Sequence, residues 1–281
     1  MEQRPEEVAK MNYKMNYIDR LKEKESILSV GLDPIIEKIP IKDKTNKGIE
    51  KTIFSFFKNI IEAIDGENIP IGAVKPNIPY YEQYGFEGLR ALKKVIELAK
   101  GKDHIVILDA KRGDIAKTNA VYAKAIFDFW EVDAVTVNPF LGSDSLQPFF
   151  EYCKKGKGIY ILTKTSNPSS SEFQDPMKIA QMINKHYTPG IGSVIGATFP
   201  GELKRITKAF KQPVPLLIPG IGAQAGSLEA VPKERIHRIH ATSSIIYAYE
   251  KDENGSSDYV GAALKEIRLL NSQIGKIQES G

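Results

Sequence analysis

Cysteine is nearly absent: Cys153 stands alone, so no intrachain disulfide can form, and a reducing, cytoplasmic setting is expected. Long hydrophobic runs are absent too. No stretch reaches the roughly 18 apolar residues that a membrane-spanning helix requires. The opening residues, MEQRPEEVAK, are charged and carry no apolar core, so they do not read as a secretory signal. Histidine is scarce: His104, His186, His237 and His240 form no evident metal set with Cys153. His237 and His240 lie three apart in a strand-like run, a spacing that sends them to opposite faces. No GxGxxG follows the first strand, so nothing signals a dinucleotide cofactor. Neither charge sign dominates. Lys and Arg number 39 against 35 Asp and Glu, a net charge of +4 spread along the chain. That balance makes no case for nucleic acid. It would still steer a substrate bearing phosphate and carboxylate groups.

What is present is alternation. The 281 residues are 42% hydrophobic and 26% charged, the profile of a soluble globular protein. Residues 1–24 read as a polar, amphipathic helical lead-in, with Tyr17, Ile18 and Leu21 able to pack on a larger body. Short apolar strands then alternate with helical segments. Strands are expected at 27–32, 71–74, 105–108, 134–137, 158–162, 191–197, 214–218 and, more weakly, 235–241. Helices are expected at 49–64, 85–99, 116–130, 144–153, 177–186, 201–210, around Leu228, and at 257–270. About eight strand–helix units with short connections predict an α/β fold, a (β/α)8 TIM barrel, as a single domain over residues 25–281. A doubly wound open sheet is the rival. Residues 167–174 are too long and too rich in Ser and Pro for a tight turn, and read as a mobile lid. Residues 252–257 read as a loop.

Polar chemistry collects where the strands end. The run HIVILDAKRGDIAKT, residues 104–118, passes from four apolar residues straight to Asp109, Lys111 and Asp114. Alternation along a strand sets Asp109 and Lys111 on one face. Gly113 would free the turn, and Asp114 stands near the next helix start, where its charge suits the helix dipole. An ordinary salt bridge with Asp114 as N-cap would explain one such pair as well as a site does, but the density of charge directly after a fully apolar strand favours a site. The first strand ends in Asp33 and the second in Lys75-Pro76-Asn77. Two lysines among three carboxylates would keep one another charged, which suits proton delivery to a developing carbanion. The run PGIGAQAG, residues 219–226, would let backbone amides approach an anion, and barrels often hold phosphate there. A plain glycine-rich turn is the alternative.

These motifs together resemble the orotidine 5′-phosphate decarboxylase family. They are G-L-D-P at the first strand, K-P-N on the second, D-A-K-R-G-D-I on the third, T-S-N-P before the lid, and P-G-I-G-A-Q near the end. The resemblance spans Ser29 to Ala248 and is nearest to the branch with D-A-K-R-G-D. It implies decarboxylation of orotidine 5′-phosphate to UMP in pyrimidine synthesis, with no cofactor and no metal. Asp109 would press on the substrate carboxylate, Lys111 would protonate C6, and Asp114 would hold Lys111 and reach across a homodimer interface. Thr118 would come from the partner subunit. Asp33 and Lys75 would bind the ribose hydroxyls and complete the charge network, Asn77 would join the substrate-binding residues, and Ser166 would contact the pyrimidine. Pro219, Gly222 and Gln224 would lie at the phosphate.

One departure stands out. Where the family carries a phosphate-clamping arginine, in a run like S-S-R-x-I-I-Y-A, residues 241–248 read A-T-S-S-I-I-Y-A and place Ser243. A serine cannot replace that charge, so Arg235, Arg238 or Lys164 would have to substitute, or affinity falls. Two other readings compete: a metal-dependent aldolase or epimerase of a sugar phosphate, and a non-catalytic nucleotide-binding barrel.

Overall fold

The computed structural model describes residues 15–40, 44–221, 228–251 and 258–279. The described residues open with α1 (Tyr17–Glu23), capped by Asn16, whose side chain accepts from the Asp19 amide at 3.1 Å. There follow β1 (Leu28–Gly31), α2 (Lys44–Gly66), β2 (Ala73–Lys75), α3 (Gly85–Gly101), β3 (Ile107–Arg112) and α4 (Ala116–Lys124). Then come β4 (Ala134–Val137), α5 (Ser143–Lys154), β5 (Gly158–Lys164), α6 (Pro176–His186), β6 (Ile191–Ile195) and α7 (Pro200–Ala209). The remainder is β7 (Leu216–Pro219), β8 (Arg238–Ala241) and α8 (Tyr259–Glu279).

All paired strands run parallel, in the order β2-β1-β8-β7-β6-β5-β4-β3. Two isolated bridges, Val74–Val106 and Asn77–Asp109, close the ring between β2 and β3. The expected TIM barrel is therefore the fold, and its closing seam runs through two of the expected site residues. Parallel strands covered on both faces read as continuous apolar runs, which is why their positions were visible in the sequence.

Two packing layers hold the barrel. Outside it, Ile53, Phe56, Phe57, Ile60, Ile61 and Ile64 of α2 bury the stripe that the helical spacing predicted. Inside it, Ala73, Ile107, Ala134, Tyr160, Leu162, Val194 and Leu217 meet Tyr17 and Leu21 of α1. The lead-in helix thus plugs the bottom of the barrel, with the Tyr17 and Tyr160 hydroxyls 3.1 Å apart.

Several expected bounds shift. The helix after β3 is α-helical only to Lys124 and continues as a π turn, Ala125–Phe129. β8 begins at Arg238, because residues 235–237 fold as a turn. The final helix runs on to Glu279, carried by buried Ile267, Leu270 and Ile274. Single helical turns at Pro79–Glu82 and Ser243–Ile246 were not expected. The stretch read as a lid holds a 3-10 turn, Pro168–Glu172. Gln174 ties it back, accepting from the Thr165 amide at 2.9 Å and donating to the Thr165 hydroxyl at 2.8 Å. Residues 252–257, read as a loop, lie outside the described residues. Among the described residues no helix is long and apolar enough to cross a membrane.

Candidate active site

Strand ends on one rim of the barrel supply a cavity of about 320 Å³, within the ~300–1,000 Å³ usual for small-molecule sites. Asp33, Lys75, Asn77, Asp109, Lys111, Ser166, Pro219 and Ser243 all line it, from six strands and their loops. Asp114 and Thr118 do not. Gly222 and Gln224 lie outside the described residues.

Asp109 is the hub. Its Oδ2 accepts from Lys75 Nζ at 2.6 Å, and its Oδ1 accepts from Lys111 Nζ at 2.7 Å and from the Thr136 hydroxyl at 2.9 Å. Burial alone would raise this carboxyl, but the two ammonium groups outweigh it and hold Asp109 well below the usual carboxylate range. The two lysines differ: the Lys75 side chain is 4% exposed and that of Lys111 48%. Lys75 is therefore locked, whereas Lys111 presents its ammonium to whatever enters.

Asp33 behaves oppositely to Asp109. Burial lifts its carboxyl to about 6, Lys75 offsets part of that, and the Asp109 charge adds to it. The Asn77 amide donates to its Oδ1 at 3.1 Å. Asn77 Oδ1 itself is buried with no hydrogen-bond partner among the described residues.

Strict alternation does not account for the meeting of Asp109 and Lys111. Lys111 has φ 47°, in the left-handed region that side chains seldom adopt. Gly113 has no positive φ; a side chain is excluded there because its Cβ would lie 2.9 Å from Asn138. Nor does Asp114 cap α4. The N-cap is Ile115, without a side-chain cap bond, and Asp114 Oδ1 accepts from the Ile115 amide at 2.7 Å. Among the described residues Asp114 makes no ion pair with Lys111.

None of the substitutes for the missing arginine lines the cavity. Arg238 is fully buried on β8, donating to the carbonyls of Gly72, Leu21, Arg235 and His237 at the plugged end. Arg235 precedes that strand at the same end. Lys164 Nζ sits 5.1 Å over the Phe199 ring. Among the described lining residues Lys75 and Lys111 are the only lysines or arginines, and both already face Asp109.

Two lining residues escaped the sequence reading. Thr136 looks like one more β-former in an apolar strand. His240 shares the inward face of β8 with Arg238, two residues apart. Its Nδ1 donates to the Ser29 carbonyl at 3.2 Å, leaving Nε2 to accept from the Thr242 hydroxyl at 3.0 Å. Burial first, and Lys75 second, hold it neutral. His237 lies outward, paired with the Leu216 amide and Glu234. Position within an apolar run hides such residues, since a lone polar side chain there is as often structural as functional.

A family model described as Orotidine 5′-phosphate decarboxylase / HUMPS family matches residues 28–248. An orotidine 5′-phosphate decarboxylase of Caldicellulosiruptor bescii is 36% identical over 281 residues, covering 85% of this chain and 91% of that protein. One of Thermomicrobium roseum is 38% identical over 292 residues, covering 96% and 97%. The solved structure of Leishmania donovani OMP decarboxylase matches with a TM-score of 0.75 at 29% identity, covering 95% of this chain and 100% of that one.

Proposed function

The chain belongs to the orotidine 5′-phosphate decarboxylase / HUMPS family, and we propose that it converts orotidine 5′-phosphate to UMP and CO₂ without a cofactor, Lys111 protonating C6. It is a carboxy-lyase of pyrimidine biosynthesis. The observation that carries the mechanism is the Lys75–Asp109–Lys111 array, with contacts of 2.6 and 2.7 Å at the floor and mouth of one cavity.

Because both lysines hold Asp109 ionised, it cannot take up a proton to relieve its repulsion of a substrate carboxylate. Loss of CO₂ removes that like-charge contact and leaves the bonding electron pair on C6. Lys111 then gives its proton to C6 and regains one from solvent. The repulsion acts on the ground state and the ammonium on the developing carbanion, so binding energy is spent where it raises turnover. Asp33, Lys75 and Asn77 would take the ribose, Ser166 the pyrimidine, and Pro219, Gly222, Gln224 and Ser243 the phosphate.

The working unit is a homodimer in a reducing, cytoplasmic setting. Ile115, Val121, Phe140 and Leu141 are 62%, 68%, 72% and 45% exposed, an apolar surface around Asp114 and Thr118 that suits a second copy. Docking there would carry Asp114 and Thr118 into the neighbour's cavity.

The test is the loss of orotidine 5′-phosphate absorbance on adding enzyme, with and without excess chelator. Turnover unchanged by chelator supports the reading. Turnover abolished by chelator favours a metal-dependent relative, and no turnover at all favours a nucleotide-binding barrel.

A further inference from the structure

The Thr136 hydroxyl meets polar groups on three successive residues of β3. Its oxygen accepts the amide hydrogens of Ala110 at 3.0 Å and Lys111 at 2.9 Å, and its own hydrogen goes to Asp109 Oδ1 at 2.9 Å. Thr136 is 1% exposed. A hydroxyl offers one hydrogen and two acceptor positions, so nothing of this one is left over.

Consecutive amides of a regular strand point to opposite sides. Here two converge on one atom because the strand is bulged. Pairing of β3 with β4 passes from Leu108–Val135 to Arg112–Val137, so Asp109, Ala110 and Lys111 all stand opposite Thr136. Within that bulge Lys111 takes its left-handed φ. Extra residues in a bulge ordinarily lose their ladder partners. The Thr136 oxygen replaces those partners, and its hydrogen fixes how the Asp109 carboxylate is turned. One oxygen of Asp109 then faces Lys111 and the other Lys75.

We propose that Thr136 is a positioning residue for the decarboxylation, holding the β3 bulge that aims the Lys111 ammonium and orients Asp109. The inference rests on the reading of Lys111 as proton donor. Thr136 acts through its neighbours. Removing its hydroxyl displaces the ammonium from the reacting carbon but leaves the ribose and phosphate contacts in place. The loss therefore falls on kcat and spares KM.

The experiment compares the full-length parent with Thr136→Val, Thr136→Ser and Lys111→Ala, measuring kcat, KM and thermal melting. Valine keeps the shape and removes the hydroxyl; serine keeps the hydroxyl. A misplacement of about 1 Å can cost on the order of 10²-fold. Thr136→Val is therefore expected to lose at least ~10-fold in kcat with KM held within about twofold, and Thr136→Ser to return to within about threefold of the parent. A crystal structure of Thr136→Val should show Lys111 out of the left-handed region. If the valine variant melts below the assay temperature, Thr136→Ala is read in its place. Parent-like kcat in the valine variant, or a serine variant as impaired as the valine one, overturns the inference. An active Lys111→Ala would instead refute the proton-donor reading, whatever Thr136 does.

Discussion

Lys75 and Asp109 form an ion pair of 2.6 Å across the seam where β2 and β3 close the barrel, with side chains 4% and 11% exposed. The same two residues thus fasten the ring and set the charge of the site. Removing one partner of a buried pair leaves an uncompensated charge, at a cost of about 3–5 kcal/mol. Lys75→Met leaves Asp109 with Lys111 and Thr136 alone, so the unfolding free energy should fall by about 1–3 kcal/mol, less than that full cost. Denaturant titration measures it, and a change below ~1 kcal/mol, the value of an exposed pair, would assign the seam to other contacts.

Asp33 makes the opposite contribution. Its folded carboxyl titrates at about 6, above the ordinary value of 3.8. Between those values the folded state binds more protons than the unfolded one, so stability falls as pH rises through this window. Asp33→Asn should flatten that decline and leave the variant more stable than the parent at pH 7. Melting temperature followed from pH 4 to pH 7 reads the effect; parallel curves for parent and variant would contradict it.

Ser243 lines the cavity where the family's arginine is expected, and neither Arg235, Arg238 nor Lys164 comes there. A hydrogen bond to a charged group contributes ~1.5–3 kcal/mol, which corresponds to about 10–100-fold. Ser243→Arg should lower the KM for orotidine 5′-phosphate by that factor, read from initial rates. An unchanged KM would place phosphate recognition elsewhere.

Asp114 makes no ion pair with Lys111 within one chain. If it serves the neighbour's site, Lys111→Ala and Asp114→Ala are each inactive alone but complement when mixed. In a symmetric dimer each mixed pair contains one intact site, so random exchange restores about a quarter of parental activity. Activity that stays at the single-variant level would place Asp114 within its own chain's site.

The apolar runs and the charges that end them were legible because parallel strands are buried on both faces and their C-terminal ends share one rim. Depth was not legible. Arg238 and His240 share the inward face of β8, but one is buried at the plug and the other lines the cavity. Nor was the bulge legible: D-A-K reads as plain alternation, and only the Leu108–Val135 and Arg112–Val137 pairs show that these residues crowd opposite Thr136. The seam was hidden for a similar reason, since β2 and β3 meet through single bridges at Val74–Val106 and Asn77–Asp109.

The account turns on Lys111 as the acid that protonates C6. General acid catalysis contributes ~10²–10⁴-fold, so replacing Lys111 with alanine should depress kcat by at least ~10²-fold. The most direct measurement is the rate of orotidine 5′-phosphate consumption by a folded Lys111→Ala variant, confirmed by a parental melting profile. A rate within a few-fold of the parent would contradict the assignment.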